Sequence, residues 1–141
     1  MKRRRFLAAF LGGLPDEVNS ALRRAATDLV DQGVPFVVIG GVGLAFQFPQ
    51  YPTDDVDFAV PNEAVIPKHI QGFKKIGQHM YEDSKTGVVV DLVTSKHINT
   101  PQSVFDYALA TSITHVDPDG FSVAVANALA LFAIKLSRGQ D

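Results

Sequence analysis

Residues 36–60 read FVVIGGVGLAFQFPQYPTDDVDFAV, and the other predicted strands, helices and site residues are placed relative to this stretch. The apolar run at 36–39 is typical of a buried strand. Gly40 and Gly41 follow directly, and paired glycines let a backbone adopt positive φ and approach a ligand closely. Residues 42–48 suit a short helix, whose free N–H groups at the glycine turn would favour an anion such as phosphate.

A pair of acidic residues lies further along the same stretch. Asp55 and Asp57 alternate with Val56 and Phe58 at the start of a second predicted strand, about residues 56–60. Because strand side chains alternate between faces, the carboxylates leave one face and the apolar groups the other. Two adjacent carboxylates repel each other unless a cation lies between them, and hard cations such as Mg²⁺ prefer carboxylate and phosphate oxygens. The stretch therefore predicts metal-assisted chemistry on a nucleotide.

A third carboxylate interrupts a later apolar run. Residues 88–93 read VVVDLV, a predicted strand in which Asp91 is the only polar residue. A buried carboxylate without a partner is costly, so we expect Asp91 at the end of a sheet, either paired or bound to metal. The alternative is a solvent-facing position on an edge strand.

These residues resemble the nucleotidyltransferase superfamily of the DNA polymerase β type, and more narrowly its minimal and abortive-infection toxin-like branch. The family signature is an apolar strand, Gly-Gly, a spacer and Asp-apolar-Asp-apolar, which residues 39–41 and 55–58 match. Thr53 matches a threonine that often stands two residues before the first aspartate. The chain departs from the pattern at Tyr51, where many relatives carry a basic residue, and at Gln47, near which they carry histidine. These departures affect the expected binding of the triphosphate and the choice of acceptor, but not the metal site.

The resemblance implies a metal-dependent nucleotidyltransferase, which moves a nucleoside monophosphate from an NTP to a hydroxyl group and releases pyrophosphate. The acceptor would be a protein, an RNA or a small molecule. Two Mg²⁺ ions, or Mn²⁺ in their place, are expected at the catalytic aspartates. The implied site comprises Asp55, Asp57 and Asp91 as metal ligands and catalytic residues, and Gly40, Gly41, Thr53 and Lys135 as nucleotide-binding residues.

Other interpretations of the same residues remain open. A catalytically inactive nucleotidyltransferase-like module that acts as a partner subunit is the main alternative. Gly41-Val42-Gly43 also suggests dinucleotide binding, but the third glycine of that motif is absent. Lys135 lies near the end of a predicted helix, where a cation is favoured without any ligand. The four histidines lack metal-ligand spacing and are expected at the surface or in packing.

Length and composition limit the number of domains and the kinds of site that the chain can form. A chain of 141 residues with 46% hydrophobic content is long enough for one domain with a single core. The net charge of −2 gives no reason to expect general nucleic-acid binding, and the absence of cysteine excludes disulfides and thiolate zinc sites. The basic segment 1–14 faintly resembles a twin-arginine signal but lacks a cleavage site, so we expect a cytoplasmic protein without membrane association. At the C-terminus, either the domain is minimal or a helical part that binds the acceptor follows.

Periodicity and turn residues predict an α/β (α+β) domain, with a small mixed sheet flanked by helices. Residues 85–87 are expected to form the turn of a hairpin, and Thr100-Pro101 to cap a helix. Helices are predicted at 15–32, 42–48, 62–77, 100–110 and 124–137, and strands at 35–39, 56–60, 79–84, 88–93 and 111–116.

Overall fold

The structure, a computed structural model, describes residues 14–47, 53–116 and 119–138. Within these ranges the helices are α1 (Asp16–Asp31), α2 (Gly40–Gln47), α3 (Gln102–Ala110) and α4 (Ala128–Arg138), with one 3₁₀ turn at Glu63–Val65. The strands are β1 (Val37–Ile39), β2 (Val56–Ala59), β3 (Phe73–Lys75), β4 (Met80–Asp83), β5 (Val89–Val93), β6 (Ile113–Val116) and β7 (Ser122–Val125).

The described strands form one mixed sheet in the order β3-β4-β5-β2-β1-β7-β6. The pairs β1–β7 and β2–β5 are parallel, whereas all the other neighbours are antiparallel. This confirms the predicted fold class, a small mixed sheet with helices around it. It also places β2 and β5, the strands of the acidic residues, side by side at the centre of the sheet.

Helices cover both faces of the sheet. Leu22 and Leu29 of α1 pack with Phe58 and Leu92 in one buried cluster. On the opposite face, α3 and α4 bury apolar side chains against Val37, Ile39, Ala59 and Val93. Successive residues of one strand thus belong to different clusters, which is the alternation expected of a strand buried on both faces.

The first helix follows its sequence signals closely. Asp16 and Glu17 lie in the first turn of α1, where they complement the positive end of the helix dipole, and Pro15 precedes them. Gly33 follows the helix with a φ of +75°, the left-handed conformation that ends many helices. The helix predicted at 15–32 is therefore confirmed.

The helix predicted at 62–77 is wrong. Only Glu63–Val65 forms a 3₁₀ turn, and Phe73–Lys75 forms strand β3 instead. Pro67 cannot donate a helical hydrogen bond and holds Ile66 in an extended conformation. The Tyr81 hydroxyl donates to the Pro67 carbonyl at 2.5 Å, and burial raises the pKa of that phenol to about 12. Tertiary contacts therefore fix this segment in an irregular path.

Two boundaries on the C-terminal side also differ. The predicted helix 124–137 begins only at Ala128, because residues 122–125 form β7 between β1 and β6. The Asn127 side chain accepts a hydrogen bond from the Ala130 N–H at 2.8 Å and caps α4. The prediction that Thr100 caps α3 is wrong, because Pro101 occupies the N-cap position and no side chain caps that helix.

The basic segment up to residue 13 lies outside the described ranges, and so does residue 48, the last residue of the helix predicted at 42–48. Gly120, shortly before β7, has a φ of +92°. Among the helices that the structure describes, none combines the length and the apolar character that crossing a bilayer requires.

Gly43 is expected to be needed where α2 crosses α4. A Cβ at this position would lie 2.8 Å from Leu131 Cδ2 and 3.3 Å from the Val38 carbonyl oxygen. Overpacking of this kind costs about 1–3 kcal/mol, of which the helix propensity of alanine offsets about 1 kcal/mol. We therefore expect Gly43→Ala to lower the free energy of unfolding by about 1 kcal/mol in urea denaturation.

The matched control is Gly77→Ala. A Cβ on Gly77 meets only Met80 Cβ, at 3.9 Å, which is ordinary van der Waals contact. Equal unfolding free energies for the two variants would show that the close contact between α2 and α4 does not constrain residue 43.

Candidate functional site

Asp57 and Asp91 are direct neighbours in the sheet. The parallel strands β2 and β5 pair Asp57 with Asp91, in a register that also pairs Phe58 with Leu92. Neighbouring strands are about 4.8 Å apart. Phe58 and Leu92 lie in the core under α1, so alternation places both aspartates on the other face, beside Ala59 and Val93. Both aspartates are half-buried.

Gly40 lies against this pair. Ile39 ends β1 opposite Asp57, and Gly40 follows it with a φ of +66° as the first residue of α2. A Cβ on Gly40 would lie only 2.3 Å from Asp57 Oδ2. Glycine is therefore required at residue 40 for two reasons: the backbone has a positive φ, and the Asp57 carboxylate leaves no space for a side chain. Gly41 continues the first turn of α2, whose positive end favours negative charge nearby.

Thr53, Asp54 and Asp55 form the approach to β2. The Thr53 hydroxyl donates to the Asp55 backbone carbonyl at 3.1 Å, so Thr53 fixes the backbone of this bend. Asp55 is exposed and precedes the first residue of the strand. Partial burial, and secondarily the negative charge of Asp54, raise the pKa of the Asp55 carboxyl. A cation bound beside it would lower that pKa again.

The described residues contain no group of three or more histidine, aspartate or glutamate side chains placed to hold a metal ion. The structure thus brings Asp57 and Asp91 together at the glycine turn, and it does not complete the three-aspartate cluster with Asp55. The chemistry of the donor set still fits Mg²⁺ or Mn²⁺, since all three groups supply carboxylate oxygens.

Lys135 is exposed on α4. Its predicted contact with a triphosphate remains a prediction. Tyr51, where the chain departs from the family pattern, lies outside the described residues.

One polar cluster is not apparent from the sequence. His79 is 7% exposed, and its Nδ1 lies 3.0 Å from the Leu92 carbonyl oxygen, which can only accept a hydrogen bond. Its Nε2 lies 3.2 Å from Glu63 Oε1, and its ring packs on that of His97 at 4.0 Å. The Thr94 hydroxyl donates to the other Glu63 oxygen. This cluster ties the 3₁₀ turn to β4 and β5, which agrees with the packing role expected of the histidines.

Gly40→Ala is expected to disturb the site as well as the backbone. Alanine at positive φ costs about 1–2 kcal/mol, and displacing the Asp57 carboxylate adds about 1–3 kcal/mol of overpacking. Gly33→Ala is the matched control, because Gly33 has a φ of +75° and nothing lies within 4 Å of the position that a Cβ would take there. Thermal denaturation should show the larger loss for Gly40→Ala. If the two losses are equal, Asp57 does not occupy the space beside Gly40.

The site is therefore defined by position in the sheet: two aspartates in register, a glycine that no side chain can replace without a clash, and the first turn of a helix. The assignment of function therefore rests on the geometry of this site. No protein-family model matches the chain, and no curated protein sequence matches it significantly.

Proposed function

We propose that this protein is a metal-dependent nucleotidyltransferase, which transfers a nucleoside monophosphate from an NTP to a hydroxyl group. The observation that carries the proposal is the pairing of Asp57 with Asp91 on parallel strands beside Gly40. Two carboxylates at the start of a glycine-initiated helix combine oxygen ligands for a hard cation with backbone N–H groups for a phosphate.

Each residue then has a defined task. Asp57 and Asp91, with Asp55 at the approach to β2, would hold the Mg²⁺ ions. When bound, such ions neutralise the charge of the triphosphate and of the attacking oxygen. Asp91 accepts or orients the proton of the acceptor hydroxyl, as a half-buried carboxylate can. That hydroxyl oxygen bonds to the α-phosphorus, and the bond from this phosphorus to pyrophosphate breaks.

The glycines, Thr53 and Lys135 have roles in binding the nucleotide. The missing side chain at Gly40 leaves room for the Asp57 carboxylate. At Gly41, the next residue in the first turn of α2, a backbone without a side chain would let phosphate oxygens approach the N–H group. Thr53 holds the bend before β2 and thereby positions Asp55. Lys135 contributes a point charge to the binding of the triphosphate.

The test is a transfer assay with the full chain. The protein is incubated in a cell lysate with MgCl₂ and each of the four NTPs labelled at the α-phosphate, and both labelled species and pyrophosphate are measured. We expect labelling with at least one NTP, pyrophosphate in equal amount, and loss of both on chelation. The absence of labelling with every NTP would overturn the proposal.

An inactive nucleotide-binding module acting as a partner subunit is the second candidate. It is favoured by the observation that no three acidic or histidine side chains converge among the described residues. Isothermal titration separates the two. Binding of an NTP without metal and without pyrophosphate release supports the module, whereas metal-dependent binding with turnover supports the enzyme.

A further inference from the structure

The two edges of the sheet are built differently. At one edge, β3 carries Lys74 and Lys75, both exposed. At the other edge, β6 has the sequence ITHV, in which His115 is the only residue with a titratable side chain. Ile113 and Val116 of β6 are 48% and 56% exposed, although most apolar strand residues in this sheet are buried.

An edge strand offers backbone N–H and C=O groups to any other strand. Proteins usually protect such an edge with lysine, proline, a bulge or a covering element. The lysines of β3 provide this protection. Within the described part of the chain, β6 pairs with β7 alone and contains neither lysine nor proline.

We propose that β6 is the dimerisation edge of this protein and pairs with β6 of a second copy in an antiparallel arrangement centred on Thr114. The two strands would join the sheets of two copies into one. This inference does not depend on the proposed reaction, because it uses none of the residues of the aspartate site.

The register follows from symmetry. A two-fold axis perpendicular to a continuous sheet keeps every side chain on its own face, so residue 113 can oppose only residues of odd number and residue 114 only those of even number. Centring on Thr114 places the two threonines opposite each other, a favourable cross-strand pair. Centring on His115 would instead place opposite each other two half-buried imidazole rings, each of which already packs on Phe46 with ring centroids 4.8 Å apart.

Pairing with a single second copy agrees better with the two edges than repeated addition of strands would. Pairing of β6 with β6 is a closed contact, since it uses the same edge of both copies. The outer edges of the resulting sheet would be the two β3 strands, where Lys74 and Lys75 oppose further addition by charge repulsion. The different edges thus predict a dimer that does not grow.

Sedimentation velocity over a range of protein concentrations tests the association. We expect a reversible dimer, and for Thr114→Lys a dissociation constant at least about 10-fold higher, because two lysines would face each other. Thr114 is exposed, so the monomer should keep its fold, which circular dichroism checks. A monomer at every concentration, or a dimer that Thr114→Lys leaves unchanged, would overturn the proposal.

Cross-linking tests the register. The natural chain has no cysteine, so a single Thr114→Cys variant can form a disulfide only between copies. Mild oxidation should give a covalent dimer, whereas Lys74→Cys at the other edge should not. Equal cross-linking of both variants contradicts the register. Protection of β6 amides from hydrogen exchange only after an extended foreign peptide is added would identify a different occupant and overturn the dimer.

Discussion

Replacing Asp57 or Asp91 with asparagine is expected to reduce nucleotidyl transfer by about 100-fold or more, while the protein stays folded. Asparagine has nearly the shape of aspartate but lacks the charge that a divalent cation needs. The two positions are neighbours in register on β2 and β5, so both variants should fail in the same way. Labelling of the acceptor by an α-labelled NTP measures the loss, and circular dichroism verifies the fold.

Asp54→Asn is the control for this prediction. It makes the same chemical change beside Asp55, at an exposed residue to which the proposed mechanism gives no role. Transfer by Asp54→Asn should match that of the unmodified protein. Transfer that is unchanged in both Asp57→Asn and Asp91→Asn would remove the aspartate pair from the mechanism.

Asp55→Asn decides whether the third aspartate belongs to the site. The structure leaves Asp55 exposed, and its raised pKa is explained by partial burial and by Asp54. If Asp55 is a ligand as the family resemblance implies, its replacement lowers transfer to the same extent as Asp57→Asn. A small effect would restrict the ligand set to Asp57 and Asp91.

The parts of the fold that could be predicted from the sequence are those that local rules determine. The unit of β1, α2 and β2 follows from an apolar run, the conformation of Gly40 and the alternation around Asp57. The hairpin of β4 and β5 follows from its turn, where Gly87 has a φ of +79°. In each case the residues that specify an element lie within it or next to it.

The segments for which the sequence predicts the wrong element depend on distant partners. Ala124 and Val125, which the sequence predicts to begin a helix, are as apolar as the helix that follows, and the pairing of β7 with β1, a strand distant in the sequence, makes them part of a strand. Phe73 becomes part of β3 through the antiparallel pairing of β3 with β4, in which Phe73 lies opposite Asp83. The direct pairing of Asp57 with Asp91 is likewise a property of strand order, which periodicity does not contain.

The ion pair between Arg24 and Asp83 shows the same limitation most clearly. These residues are 59 positions apart and join α1 to β4 through two hydrogen bonds, Nη1–Oδ1 at 3.0 Å and Nη2–Oδ2 at 2.5 Å. The Asp83 side chain is fully buried, and it also accepts from the Thr86 hydroxyl at 2.6 Å and the Lys85 N–H at 3.1 Å. The sequence alone predicts no more for Asp83 than an ordinary charged residue near a turn.

This network should make the stability of the protein depend on pH in the acid range. The hydrogen bond from Arg24, followed by those from Thr86 and Lys85, lowers the pKa of Asp83 from 3.8 to about 2. A lowered pKa in the folded state means that the stabilisation is fully present above pH 3.8 and is lost as the pH falls towards 2. The shift corresponds to about 2 kcal/mol, which solvent around the partly exposed guanidinium reduces somewhat.

Arg24→Met is expected to lower the free energy of unfolding at neutral pH by about 3 kcal/mol, because it leaves a buried carboxylate without its cation. The variant should also lose the decline in stability between pH 4 and pH 2, since the Asp83 pKa would rise towards or above its ordinary 3.8. Urea denaturation at several pH values measures both effects.

Lys85→Met is the matched control, because it removes an exposed cation near Asp83 but keeps the backbone N–H that donates to it. If both variants retain the acid dependence of the natural protein, a carboxyl group other than Asp83 causes it.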